Sequence, residues 1–191
     1  MNNPKLNITE NDILFFDMDG TLVDTDFANF LSYKKAIQSF IQSETEIEFN
    51  SNERFNRSLL KTTVPNLTEA EYEKIIIKKE EIYNEHLSET KTNKTIVDIL
   101  LKYSKTNKTV LVTNCLEDRA KSTLNYHKLT DKFSDFFFRN ISDNGNRINK
   151  YKNAISSLDL SAQTVIVFEN ERVEIEDAIQ AGISINKIFS L

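Results

Sequence analysis

Four short apolar runs punctuate the chain: DILFFD at 12 to 17, TVLVT at 109 to 113, DFFF at 135 to 138 and TVIVF at 164 to 168. Each is nearly continuous in apolar residues, the pattern of a parallel strand buried on both faces. Between them the apolar positions recur at helical spacing. Phe27, Phe30, Leu31, Ile37, Phe40 and Ile41 predict one helix; Tyr72, Ile75, Ile76, Ile82, Tyr83, His86 and Leu87 predict another. Further helices are expected near 94 to 105, 116 to 127, 150 to 158 and 172 to 181, the last closed by Gly182.

From residue 109 onward strands alternate with helices, which predicts an α/β fold with a Rossmann-like parallel sheet. Residues 22 to 90 show helical patterns and no strand. The expectation is therefore an α/β core built from 1–21 and 91–191, with 22–90 inserted after the first strand as an all-helical cap. NSNERFN and KTTVPNLTEAE read as loops between cap helices, with Thr68 an N-cap for the helix starting at Glu69.

At 191 residues the chain can bury a real core. Hydrophobic residues make up 39%, and no apolar stretch approaches the ~20 residues of a membrane-spanning helix. The first twelve residues lack the basic and apolar halves of a secretory signal, and Cys115 is the only cysteine, so a cytoplasmic protein is expected. A net charge of -5 with scattered basic residues argues against a nucleic-acid partner, and no membrane partner is expected.

The first strand candidate ends in DMDGT, Asp17 to Thr21. At average residue usage, a given start would match these specified positions only about once in 10^5. Paired carboxylates at a strand tip suit phosphoryl chemistry. An aspartate can form a covalent phosphoryl intermediate. A divalent cation is then needed to offset the charge, and Mg²⁺ prefers such hard oxygen ligands. Gly20 permits a sharp turn beside the acids.

FFDMDGTLVDTD resembles the signature of the haloacid dehalogenase-like superfamily. The resemblance implies that Asp17 is the nucleophile and Asp19 the general acid and base. It also implies that Thr113 and the Asn114 backbone, in VLVTNC, bind phosphate. A lysine from INKYKNAISSL is implied as a third element; Lys150 is favoured over Lys152 because Asn149 can cap the helix and leave Lys150 in its first turn. TVIVFENERVEIEDAIQAGI looks like the family's metal motif, with Glu169 and Asn170 where relatives carry an acidic pair. The implied metal set is Asp17, Asp19, Glu169 and Asn170, with Glu174 an alternative to Asn170. Asp177, on a neighbouring helical face, is set aside.

The expected function is a Mg²⁺-dependent phosphatase acting on a small phosphorylated metabolite through an aspartyl-phosphate. A phosphomutase resembling β-phosphoglucomutase is one alternative, and a non-catalytic phosphate-binding protein is another. His86 and Cys115 read as packing residues, and His127, in LNYHKL, as a helix end where its partial charge suits the dipole. Lys34, Lys35, Arg54, Arg57 and Lys61 read as a solvated face rather than as binders of an anionic substrate.

Overall fold

The computed structural model describes residues 7–41, 47–140 and 147–190. The first six residues, part of the segment read for a signal, lie outside them. In chain order the elements are β1 (Ile13–Phe16), β2 (Val23–Asp24), α1 (Asp26–Phe40), α2 (Arg57–Thr63) and α3 (Glu69–Ile82). A 3-10 stretch at Tyr83–Glu89 leads to β3 (Lys91–Thr92), α4 (Lys94–Tyr103), β4 (Thr109–Val112), α5 (Glu117–Tyr126) and β5 (Asp135–Phe137). The chain closes with α6 (Lys150–Ser157), β6 (Val165–Phe168), α7 (Arg172–Gln180) and β7 (Ile188–Phe189).

β5, β4, β1, β6 and β7 form, in that order, one parallel sheet, an α/β Rossmann-like arrangement. Because side chains alternate across a strand, each central strand feeds two cores. Leu14, Phe16, Leu111, Ile166 and Phe168 face α4 and α5, joined by Ile96, Leu100, Ala120 and Leu124. Phe15, Val110, Val112, Val165 and Val167 face α6 and α7, joined by Tyr151, Ala154 and Ala178. Phe16 stacks on Phe168 across the β1/β6 register at 4.7 Å. Burial of such a side chain contributes about 1.5–3 kcal/mol. The chain leaves β1 for β4 on one side and returns to β6 on the other. That reversal opens a crevice at the carboxyl ends of the strands, where open α/β sheets bind ligands.

The helices between β1 and β4 bury a cluster of their own, centred on Phe30, Tyr33, Ile37, Leu60, Tyr72 and Ile75. α3 begins with a capping box: the Thr68 hydroxyl accepts from the Glu71 amide, and the Glu71 carboxylate accepts from the Thr68 amide. Several details depart from expectation. β2 lies inside the 22–90 stretch expected to hold no strand and pairs antiparallel with β3 just beyond it; two-residue strands carry no periodicity. α2 takes in 61–63, expected as loop, together with 57–60, where no element was expected, because seven residues with one buried position, Leu60, show no period. The α-helix expected to continue through Leu87 tightens to 3-10 after Ile82. Spacings of three and four suit both helix types, so the pattern cannot tell them apart. Among the described residues, no helix is long and apolar enough to cross a membrane.

Candidate active site

Asp17 follows the last residue of β1, and its amide donates to Phe168 O at 3.0 Å, tying it to the end of β6. The residue is 5% exposed. Lys150 Nζ donates to Asp17 Oδ1 at 2.7 Å, while no donor among the described residues reaches Oδ2. Burial pushes the Asp17 pKa up to about 7; Lys150 opposes the shift, and the charges of Glu169 and Asp19 add to it.

Asp19 behaves in the opposite way. Burial would raise its pKa, but Arg119 and Arg54 outweigh that and hold it well below the usual carboxylate range. Their Nη2 atoms lie 3.2 and 3.1 Å from Asp19 Oδ2, and the Thr25 hydroxyl donates to Oδ1 at 2.7 Å. Adjacent carboxylates thus have pKa values driven apart by their surroundings.

Between them and the insert, Gly20 turns the chain at φ 81°, and its amide donates to Val23 O. A Cβ there would meet Asn170 Nδ2 at 2.9 Å. Gly20→Ala is therefore expected to cost about 1–3 kcal/mol through positive φ and collision together. A denaturant melt with an unchanged midpoint would contradict this.

At the end of β4, Thr113 is buried and its hydroxyl oxygen accepts from the Cys115 amide at 3.1 Å. That leaves the hydroxyl proton available to a ligand. Asn114 donates from Nδ2 to both oxygens of Glu174 at 2.9 Å, and its Oδ1 is buried without a partner. Cys115 Sγ accepts from Arg119 Nε, and burial pushes the thiol pKa up to about 12, which removes it as a nucleophile.

α6 presents the lysine. Asn149 Oδ1 accepts from the amides of Tyr151 and Lys152, both at 3.0 Å, so the helix starts with Lys150 turned inward. Lys150 is 4% exposed and Lys152 is exposed. Besides Asp17, Lys150 donates to Glu169 Oε2 at 2.8 Å and lies 3.5 Å from Glu174. Burial would lower its pKa, but these carboxylates raise it above the ordinary value.

Glu169, at the end of β6, is fully occupied. Oε1 accepts from the amides of Asn170 and Glu171 at 2.9 Å, while Oε2 accepts from Lys150 and from the Tyr151 hydroxyl at 2.7 Å. Asn170 is exposed, and its Oδ1 accepts from the Thr21 hydroxyl at 2.8 Å. Glu174 is bound by Asn114 and Arg147, and Arg147 also holds Asp177. Among the described residues, no three His, Cys, Asp or Glu side chains gather as a metal cluster.

Asp17, Asp19, Thr113, Asn114 and Glu169 line one cleft of about 290 Å³. Lys150 reaches its floor through Asp17, whereas Asn170 contacts the Gly20 turn instead of lining the cleft. Several lining residues were not foreseen as site residues. Arg54 was read as solvated surface, yet it bridges Asp19, Asp26 and Glu171. Arg119 and Lys79 carried no motif. Lys79 had one visible signal: it lies three or four residues from Ile75, Ile76, Ile82 and Tyr83, in phase with the apolar stripe.

The sequence matches the family model described as haloacid dehalogenase-like hydrolase over residues 14–188. No curated protein matches the chain by sequence. Among solved structures, a predicted phosphoglycolate phosphatase from Haemophilus somnus 129pt superposes with a TM-score of 0.73 at 17% identity, covering 93% of this chain and 85% of that one. CbbY from Rhodobacter sphaeroides, solved in complex with phosphate, gives 0.73 at 14%, covering 94% and 85%. A candidate beta-phosphoglucomutase from Thermotoga maritima gives 0.65 at 22%, covering 94% and 84%. At these identities the likeness speaks for the fold.

Proposed function

The chain belongs to the haloacid dehalogenase-like hydrolases, and from that footing we propose that it is a Mg²⁺-dependent phosphatase of a small phosphorylated metabolite, with Asp17 as nucleophile. One observation carries the reading: a buried carboxylate at the cleft floor with one oxygen fixed by Lys150 and the other unbonded.

Asp17 Oδ2 attacks phosphorus, the ester P–O bond breaks, and Asp19 delivers a proton to the departing oxygen. Asp19 then takes a proton from water, which attacks the aspartyl-phosphate at phosphorus, releasing phosphate and restoring Asp17. The Thr113 hydroxyl and the Asn114 amide bind phosphoryl oxygens, and Lys150 stabilises the charge gathering on them. To carry a proton, Asp19 must be freed from at least one guanidinium. Arg54, from the helical insert, is the one that can leave with movement of that insert, which acts as a cap over the cleft.

The donor set suits Mg²⁺. Asp17 Oδ2 and the Asp19 main-chain oxygen receive no hydrogen bond from the described residues, and Asn170 Oδ1 lies beside the Gly20 turn. These hard oxygens would hold a cation that keeps several waters. When bound, Mg²⁺ neutralises Asp17 and the incoming phosphate. Glu169 has no spare oxygen and serves as the anchor of Lys150 and Tyr151. Asn170 supplies a neutral donor, so Asn170→Asp is expected to lower the half-saturating Mg²⁺ concentration by about tenfold. An unchanged Mg²⁺ titration of turnover would remove Asn170 from the set. The function itself is tested by phosphate release from a panel of phosphate monoesters with and without Mg²⁺. Transfer to a second hydroxyl with little free phosphate would instead indicate a mutase.

A further inference from the structure

Lys79 is the least expected group in the cleft wall. Its side chain is 1% exposed, yet it lines the same cleft as Asp17. Its ammonium donates once, to Glu80 Oε1 at 3.1 Å, and otherwise faces the rings of Tyr33 and Tyr83 at 5.3 and 5.2 Å. An ammonium has three donors, and a buried one left short of acceptors is costly. Burial and the neighbouring Arg119 pull its pKa down to about 8.

Other unspent donors share this wall. The Tyr33 hydroxyl has no hydrogen-bond partner among the described residues; burial and the charge of Glu80 push its pKa up, with Arg57, Arg119 and Arg139 near enough to oppose the shift. Arg57 has one distant partner, Glu73 at 3.5 Å. Arg139 has no side-chain partner among the described residues. Arg54 is different, being spent on Asp19, Asp26 and Glu171. Glu80 is the acid beside Lys79, and its Oε2 is itself left without a hydrogen bond, 3.8 Å from Arg119. Lys79, Arg57 and Tyr33 from the insert and Arg139 from beyond β5 therefore bring more N–H and O–H donors to this part of the cleft than Glu80, the acid beside them, can use.

We propose that Lys79, Arg57, Arg139 and the Tyr33 hydroxyl form an anion subsite, so that the substrate is a phosphate monoester whose leaving group carries a second anion, a carboxylate or a second phosphate. This rests on the phosphatase reading and specifies the ester. Lys79 is desolvated while Arg57 and Arg139 reach the cleft from exposed positions, so an entering anion gains a buried ammonium as partner, and an uncharged leaving group would leave that ammonium short of acceptors.

The test measures kcat/KM of the full chain with Mg²⁺ on three classes of ester: phosphorylated hydroxy acids, sugar bisphosphates, and phosphorylated polyols with no other charge. At least one anionic class is expected to exceed the polyol class by about tenfold to a hundredfold, the scale of a charge-assisted contact. The better class identifies carboxylate or phosphate as the second anion. Lys79→Met is expected to collapse that ratio mainly through KM. Arg139→Gln, at an exposed position, should lower it in part even if Lys79→Met folds poorly. Turnover with no preference for either anionic class would overturn the subsite and leave the phosphatase standing. Calorimetric titration of the same compounds separates the other failure: anionic compounds that bind and lose affinity in Lys79→Met, with no ester turned over, would overturn the phosphatase reading while supporting the subsite.

Discussion

Exchanging Lys150 for methionine is expected to lower the stability of the fold by about 3–5 kcal/mol, the cost of removing one member of a buried ionic network. Lys150 Nζ is held between Asp17 and Glu169 at 2.7 and 2.8 Å, with Glu174 at 3.5 Å. Methionine matches the stem in length but returns no charge, so acids at most 8% exposed would face one another uncompensated. The sign of the pH dependence follows. Asp17 already has a folded-state pKa near 7 against 3.8 for the free group, and losing Lys150 raises it further. A carboxyl whose pKa is raised on folding takes up a proton as the chain folds, so its contribution is favourable at low pH and is lost as pH rises through the folded-state value. The variant should therefore suffer most above neutrality and least near pH 4 to 5. Denaturant melts across that range check this; wild-type midpoints at pH 8 would mean that the network is not what holds α6 to the sheet.

The second large effect is on turnover. Asp17→Asn keeps the shape of the side chain and an acceptor for Lys150 but removes the attacking oxyanion. Phosphate release should fall by about 10^4-fold or more, the scale seen when a covalent nucleophile is deleted. The circular dichroism spectrum and cooperative unfolding should persist. A variant that folds and retains turnover within tenfold of wild type would place the nucleophile elsewhere.

The parallel sheet was legible because strands buried on both faces must be apolar at every position. Runs such as VLV and VIVF therefore stand out in a chain with three glycines and two prolines. β2, β3 and β7 were not, since two residues cannot display a period. The start of α6 was readable down to its cap, because Asn149 has a local chemical task and the choice of Lys150 over Lys152 follows from it. The guanidinium clamp on Asp19 was unreadable. Arg54 and Arg119 are separated from Asp19 by 35 and 100 positions, and no local spacing encodes which long charged side chain will fold back into a cleft. Lys79 lies between these cases. A lysine in phase with Ile75, Ile76 and Ile82 breaks the rule that charged residues leave the apolar face, and such a breach points to a site. Glu169 was visible as a strand-end acid. Its hydrogen bonds with Lys150, Tyr151 and two main-chain amides were not, since only the fold brings those donors to it.

The most direct measurement of the central claim is the covalent intermediate. The protein is mixed with Mg²⁺ and a phosphate monoester that it turns over, quenched in acid within the first turnovers, and mapped by peptide mass spectrometry. The reading predicts one phosphoryl group on the peptide containing Asp17, absent in Asp17→Asn and absent without ester. Turnover with no phosphoryl group on that peptide, or the group found on another residue, would contradict it.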